Sequence, residues 1–316
     1  MSIVRFKQVD AFTRKPFTGN PAGVVLEATG LQSKDMLRIA REINVSETVF
    51  VLEAPNEEVD LALRWFSPTQ EVDLCGHGTI AAFHAMAEEG MFGLEVDEPQ
   101  SFLVDTKSGV ITVDVEWQEL RPYIKMSLPL PTFFPFPGEM ANLCGALGLS
   151  EIELSRKVNP QITHNGYVFV PVKDFDSLKT LEPNPYLLKR LGERHDLQGF
   201  AVVTTDTGVE DVDWHMRFFA PAMGINEDPV TGSANGPMAA FLWHNGFLDE
   251  GQKVFNFKAE QGRFVDRPGI VHVQMHATSA AVEEIMIAGE AVTVMDGQIF
   301  MSSNVPGKFR SVIGDR

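Results

Sequence analysis

Two segments of this 316-residue chain join residue types that do chemistry to a spacing that opens a helix. The first reads Asp73-Leu74-Cys75-Gly76-His77-Gly78-Thr79, the second Glu227-Asp228-Pro229-Val230-Thr231-Gly232-Ser233-Ala234-Asn235-Gly236-Pro237. Each brings glycine, a polar side chain and unpaired backbone N–H groups to a helix N-terminus, where the aligned peptide dipoles favour an anion. Pro237 suits a first helical position, where a missing N–H costs nothing. Two such ends facing one another would hold a carboxylate or a developing oxyanion from both sides. Plain capping of two helices explains the glycines, but it leaves Asp228 and Ser233 without a reason. A third candidate is Glu47, in Asn44-Val45-Ser46-Glu47-Thr48-Val49-Phe50-Val51, where a polar helix end becomes an apolar strand. Burial there would raise its pKa and make it a usable acid or base near neutral pH. A glutamate at a strand start is, taken alone, solvated surface; its combination with the two helix starts makes this one a candidate.

The segments that position these residues repeat once. Val59-Asp60-x-x-x-Arg64-x-Phe66-x-Pro68 returns 153 residues later as Val212-Asp213-x-x-x-Arg217-x-Phe219-x-Pro221. Gly78-x-x-Ala81-Ala82-Phe83 returns after 158 as Gly236-x-x-Ala239-Ala240-Phe241, so the second copy holds five extra residues, beside Asp228 and Ser233. Two matches in the same order indicate duplication. In each copy alternating apolar residues predict strands (48–51 and 61–66; 201–203 and 214–219), then a proline, a polar loop and an alanine-rich helix. A further helix is expected over Ser33 to Asn44, capped by Ser33, with Met36, Leu37, Ile39, Ala40 and Ile43 on its core face. The proline-rich stretch 128–137 cannot enter a central strand or a helix interior, so it divides the chain into halves 1–128 and 129–316, with the C-terminal tail available to complete the first. Strands and helices do not alternate as βαβ units, which favours an α+β fold over a doubly wound sheet.

Composition narrows the function classes. A formal charge of −17, from 43 acidic and 26 basic residues, repels nucleic-acid backbones and anionic membrane surfaces, so neither is expected as a partner. The N-terminal residues move directly into a strand pattern without an apolar leader segment, and a cytoplasmic location is expected. Cys75 and Cys144 are too few for a disulfide framework. Gly76-x-Gly78-x-x-Ala81 followed by Asp97 has the outline of a dinucleotide fingerprint, but the residues before it, with Pro68, Glu71 and Asp73, are not a buried parallel strand. Ser233 lacks both flanking glycines of a hydrolase elbow, having Thr231 and Asn235 instead. Asp73, Cys75 and His77 at alternate positions suggest a metal, yet the other histidines repeat no ligand spacing, so neither a metal nor an organic cofactor is expected.

Several strings resemble the signatures of PhzF-like phenazine-biosynthesis proteins, in order along nearly the whole chain. They are Asp10-Ala11-Phe12-Thr13 with Phe17-Thr18-Gly19-Asn20-Pro21-Ala22-Gly23-Val24-Val25, Ser46-Glu47-Thr48-Val49-Phe50, Arg64-Trp65-Phe66-Ser67-Pro68, Asp73 to Thr79, and Asp228 to Ala234. The resemblance implies a diaminopimelate-epimerase-like fold: two pseudo-symmetric domains, each a sheet or barrel around a central helix, with the active site between them and commonly a homodimer. It implies no cofactor. Carried over by position, Glu47 resembles the proton-transferring acid/base, and His77, Asp228 and Ser233 the groups that orient substrate and base. Gly76, Gly78 and Gly232 match backbone around the ligand, and Asn20 a turn residue beside it. Characterised members isomerise dihydro-hydroxyanthranilate by moving a proton between ring carbons.

One departure bears on mechanism. The related diaminopimelate epimerases use one thiol from each half; Cys75 stands at the first position, but Asp228 occupies the second and Cys144 lies elsewhere. The expected function is therefore isomerisation of a small carboxylate substrate by one carboxyl. The alternatives are an epimerase or racemase of an amino acid-like substrate, and a non-catalytic binding module on the same fold. A helix N-terminus could also lower the Cys75 pKa and leave a reactive thiol.

Overall fold

The computed structural model describes residues 2–94, 98–208, 211–249 and 251–301. Asp97 and the C-terminal end of the second half lie outside them.

Why the same ten-residue signature recurs is visible in its contacts. Asp60 and Asp213 each accept the backbone N–H of a residue on a neighbouring strand, Leu103 and Lys258 respectively, at 2.7 Å. Each returns its own N–H to that residue's carbonyl at 2.8 Å. Four residues on, Arg64 and Arg217 lie 5.2 and 5.1 Å over the rings of Phe66 and Phe219. Each arginine then pairs with a glutamate on the return strand: Arg64 with Glu71 at 2.7 Å, Arg217 with both oxygens of Glu227 at 2.8 Å. One residue pattern therefore builds one strand–turn–strand unit twice.

Each unit belongs to a sheet that curves around a helix. In the first half, Asn20–Val25 pairs in parallel with Glu47–Glu53, which runs antiparallel to Leu61–Phe66. Leu61–Phe66 pairs in parallel with Gln100–Asp105, and Ile111–Gln118 and Arg121–Ser127 follow antiparallel. The second half repeats this order with Tyr167–Pro171, Gly199–Thr204, Trp214–Ala220, Val254–Gln261, Gly269–Ala277 and Val282–Gly289. The last strands of the two series pair with each other, Met126 opposite Ile287, and join the halves. Two more pairings extend the sheets: Phe133–Pro135 with Gln161–Thr163, and Ala291–Met301 along all of Ser2–Ala11, so the end of the second half completes the first. Pro135 is tolerated in its strand because an edge strand need not donate on both sides.

The helices Gly76–Glu88 and Gly232–His244 run through the two sheets, buried from Gly76 to Met86 and, in the second, nearly to Leu242. A helix enclosed on all sides must be apolar all round, which explains their alanine-rich character. Phe83 and Phe241 are at most 1% exposed, and truncating such a ring costs about 3–5 kcal/mol. The fold is thus α+β, two pseudo-symmetric halves each wrapped around a central helix.

Two local expectations are corrected. The helix Ser33–Ile43 is preceded by Gln32, and Ser33 is its first residue, its hydroxyl taken by Arg64 at 3.1 Å. Met36, Ile39 and Ala40 form its buried face, while Leu37 and Ile43 pack at the margin. Pro237 lies inside its helix, not at its start, so no N–H returns to the Ser233 carbonyl one turn back. The reason is that Gly236 is the fifth residue of its helix whereas Gly78 is the third. Part of the insertion thus lengthens the first turn and carries Ser233; the rest extends the return strand to Ile225–Asp228, against Glu71–Val72 in the first half.

Candidate active site

The starts of the two central helices meet. A Cβ built on Gly76 would lie 3.5 Å from the Gly232 Cα and 3.7 Å from the Ser233 nitrogen. At Gly232 a Cβ would fall 2.5 Å from the Ile287 side chain and 3.1 Å from the Phe12 ring, so a larger residue there would have to displace them. Around this contact the structure gathers Asn20, Glu47, His77 and Asp228. Ser233 lies on the second helix's side of it. Gly78 serves the packing of the first helix instead. Its space is bounded by Trp65, and its N–H is bound to the Cys75 sulfur at 3.4 Å, which leaves that amide unavailable to a ligand.

Glu47 opens the strand Glu47–Glu53 and is only 7% exposed. Burial, and next the neighbouring Asp228 carboxylate, push its pKa up to about 8 against a smaller opposing effect of the Ser46 hydroxyl. Its Oε2 lies 3.3 Å from Nε2 of His77. Burial drives the His77 imidazole down to about 3, so near pH 7 the ring is neutral and the contact is a hydrogen bond, not an ion pair. Both amide hydrogens of Asn20 are used, on Asp228 Oδ1 at 2.9 Å and the Val230 carbonyl at 2.8 Å. His77 Nδ1 lies 3.3 Å from that amide nitrogen and 3.5 Å from the Cys75 sulfur. Nε2 faces both Glu47 and the Ser46 hydroxyl, which is also 3.3 Å away.

Asp228 ends the strand Ile225–Asp228 and is buried. Burial pushes its carboxyl up to about 6, even though the Thr231 hydroxyl and the Asn20 amide both donate to it. Behind it Gln261 donates to the Asp228 carbonyl at 2.8 Å and to the Thr231 hydroxyl at 3.0 Å, and accepts from the Thr231 N–H at 3.0 Å. Asn235 donates to Gln261 and accepts from Trp214, both at 2.8 Å, completing a buried polar net. Ser233 Oγ lies 3.3 Å from the Tyr167 hydroxyl, whose pKa burial raises to about 12. Ser233 and Tyr167 face a cavity of about 280 Å³, walled also by Leu74, His164, Gln198 and Met223.

Sequence reasoning missed Tyr167, Thr231 and Gln261. The expectation of a lowered Cys75 pKa is reversed: burial first, then the Glu47 charge, hold the thiol well above its usual range. Cys144 sits in the helix Met140–Leu147, packed in the second half's outer core, so only one thiol is near the site.

Among known proteins, the chain is 37% identical over 299 residues to an uncharacterised isomerase of Clostridium acetobutylicum, covering 93% of this chain and 97% of that one. It is 32% identical to the trans-2,3-dihydro-3-hydroxyanthranilate isomerase of Pseudomonas fluorescens, covering 93% and 98%. A PhzF-family phenazine biosynthesis protein of Bacillus anthracis, solved by crystallography, superposes with a TM-score of 0.84 at 34% identity, covering 95% of this chain and all of that one. Fold and relatives together define an isomerase. Residues 9–297 match the family model described as phenazine biosynthesis-like protein, and the chain belongs to that family. No described helix is long and apolar enough to cross a membrane.

Proposed function

We propose that this isomerase is cofactor-independent and moves a proton between carbons of a small carboxylate substrate, with Glu47 as the single acid/base. The observation that carries the reading is the Glu47 carboxyl itself: enclosed, titrating near 8, and placed where the two helix N-termini meet. A group that titrates close to the working pH both takes and returns a proton without a large penalty in either direction. His77 fixes the carboxyl through Nε2, and at about 3 it is too weak a base to keep the proton. Asp228, held by Asn20 and Thr231, keeps a negative charge beside Glu47 and so sustains its basicity.

On this reading the substrate carboxylate lies at the helix N-termini, near Ser233 and the backbone at Gly232, and the rest of the molecule extends into the cavity beside Tyr167. Proton loss leaves charge that spreads toward that carboxylate, where the amide dipoles and the Ser233 hydroxyl oppose it. One carboxyl reaches one face of the substrate, so the proton leaves and returns on the same side. The relative's printed activity, isomerisation of a dihydro-hydroxyanthranilate, supports this class of chemistry. On this reading the working form is a homodimer in the cytoplasm.

The test uses the Pseudomonas relative's substrate and a panel of cyclic and amino carboxylates, each incubated with enzyme in heavy water. The wild-type protein should exchange a carbon-bound hydrogen for deuterium in at least one of them. Glu47→Gln should bind that compound and exchange nothing. Undiminished deuterium uptake in the glutamine variant would remove Glu47 from the reaction.

A further inference from the structure

The proposed reaction gives one hydroxyl at this site no task. Tyr167 Oη lies 3.3 Å from Ser233 Oγ, and among the described residues neither hydroxyl has another hydrogen-bond partner. Both face the same cavity of about 280 Å³. Two hydroxyls that share one hydrogen bond have a second hydrogen left over, and the direction of the shared bond decides which oxygen carries it. A phenol releases its hydrogen more readily than an alcohol, so tyrosine is the stronger donor and serine the better acceptor. Burial also pushes Tyr167 up to about 12, so the phenol keeps its hydrogen throughout the neutral range. With Tyr167 donating, the Ser233 hydrogen cannot turn back onto the phenol and is left for a ligand.

The tyrosine is held in place from several sides. It opens the strand Tyr167–Pro171, which pairs in parallel with Gly199–Thr204, and its N–H donates to the Thr163 hydroxyl at 3.1 Å. Its ring meets that of Phe218 at a centroid distance of 5.0 Å and an interplanar angle of 70°. Phe218 is buried, occupies the space that Gly199 leaves free, and lies opposite Asp228 across its strand pair. The strand partner of Asp228 thus also walls the phenol. Among the described residues no lysine or arginine lines the cavity, and Asp73 at its wall pairs with Lys107 at 2.6 Å. A carboxylate seated there meets no fixed cation, so the direction of a single O–H carries weight.

We infer that Tyr167 is a positioning residue: it donates to Ser233 Oγ and thereby aims the serine hydroxyl at the substrate carboxylate. From phenol to serine to carboxylate every hydrogen bond runs in one direction, and each link polarises the next. The inference rests on the proposed seat of the carboxylate at Ser233. It is independent of which group moves the proton.

A double-mutant cycle read by titration calorimetry tests it. The probes are 3-hydroxyanthranilate, the aromatic counterpart of the Pseudomonas relative's substrate, and benzoate, each beside its carboxamide. Tyr167→Phe keeps the ring against Phe218 and should weaken the carboxylates by roughly fivefold, the amides by no more than about twofold. Made in the Ser233→Ala background, the same change should cost no more than about twofold, because the hydroxyl it aims is gone. If Ser233→Ala weakens the carboxylates and Tyr167→Phe leaves them unchanged, the inference falls while the seat of the carboxylate stands. A loss from Tyr167→Phe that is as large without Ser233 as with it would mean that the phenol touches the ligand itself, and would overturn the positioning role. Equal losses of carboxylate and amide would reduce Tyr167 to packing. Carboxylates that fail to bind the wild-type protein, or that bind Ser233→Ala as tightly, would overturn the seat and the inference together. The Glu47 role is untouched by these outcomes and is judged by heavy-water exchange.

Discussion

Replacing Glu47 by glutamine should alter the pH dependence of stability in a direction opposite to that of most carboxylate substitutions. A carboxylate usually gains partners on folding and its pKa falls; the Glu47 carboxyl loses water and rises from 4.5 to about 8. Between those pH values the folded protein keeps a proton that the unfolded chain releases. The stabilisation is therefore whole below pH 4.5 and is lost as pH climbs to 8. At about 1.36 kcal/mol for each pH unit the full span is about 5 kcal/mol. Between pH 5 and pH 9 it is about 4 kcal/mol, since the unfolded carboxyl is already partly ionised at the lower value. Glutamine has nearly the same shape, stays neutral throughout and has no such slope. Asp228, raised to about 6 for the same reason, titrates in both proteins and cancels. Urea unfolding of the two proteins at pH 5 and pH 9 measures the difference directly. The variant should match wild type within about 1 kcal/mol at pH 5 and exceed it by about 4–5 kcal/mol at pH 9. Parallel pH dependences would show that Glu47 is solvated in the folded protein, and the argument from its burial would fail.

Two further outcomes follow from the same geometry. Ser233→Ala should weaken a carboxylate ligand by roughly tenfold, about 1.4 kcal/mol, and the corresponding amide by less, as read by titration calorimetry; equal losses would remove Ser233 from the anion site. Arg267→Ala should destabilise the protein by about 3–5 kcal/mol, because Arg267 donates to the enclosed Asp10 at 2.7 Å and to the Gly19 carbonyl at 2.9 Å, and its loss strands a buried carboxylate. Adding Asp10→Asn should recover part of that loss, and a single-variant cost below about 1 kcal/mol in urea would show the pair to be slack.

What the chain discloses before folding depends on whether a residue's role is local. The repeated signature was legible because it recurs and its arginines act within one strand–turn–strand unit: Arg64 and Arg217 cover a phenylalanine two residues on and pair with a glutamate on the return strand. The family resemblance rested on the same short-range strings. Glu47 stood out because polar helix and apolar strand meet there. Tyr167 did not, since its hydroxyl meets Ser233 across 66 residues of chain and nothing in Asn165-Gly166-Tyr167 marks it as more than an apolar strand start. Gln261 supports Asp228 from 33 residues away, at the end of a strand whose pattern reads only as half-buried. The Cys75 pKa went the other way from expectation because the helix dipole favours a thiolate only where solvent or a cation shares the charge. Enclosure beside Glu47 and Asp228 outweighs it.

On the proposed mechanism, the divergence of the two halves explains how a symmetric scaffold carries one-sided chemistry. Each half supplies a helix N-terminus, and these remain near-equivalents in contact through Gly76 and Gly232. Their polar additions are complementary: the first half contributes Glu47 and His77, the second Asp228 and Ser233. Had both halves kept the same carboxyl, two acids of equal pKa would compete for one proton. The extended return strand instead places Asp228 among donors from Asn20 and Thr231, which hold it at about 6, below the neighbour whose pKa it raises to about 8. Burial raises both carboxyls, and the donors on Asp228 together with its charge beside Glu47 set the two apart. The five-residue insertion, which lengthens the second return strand and the first helical turn, is the sequence difference that creates that inequality.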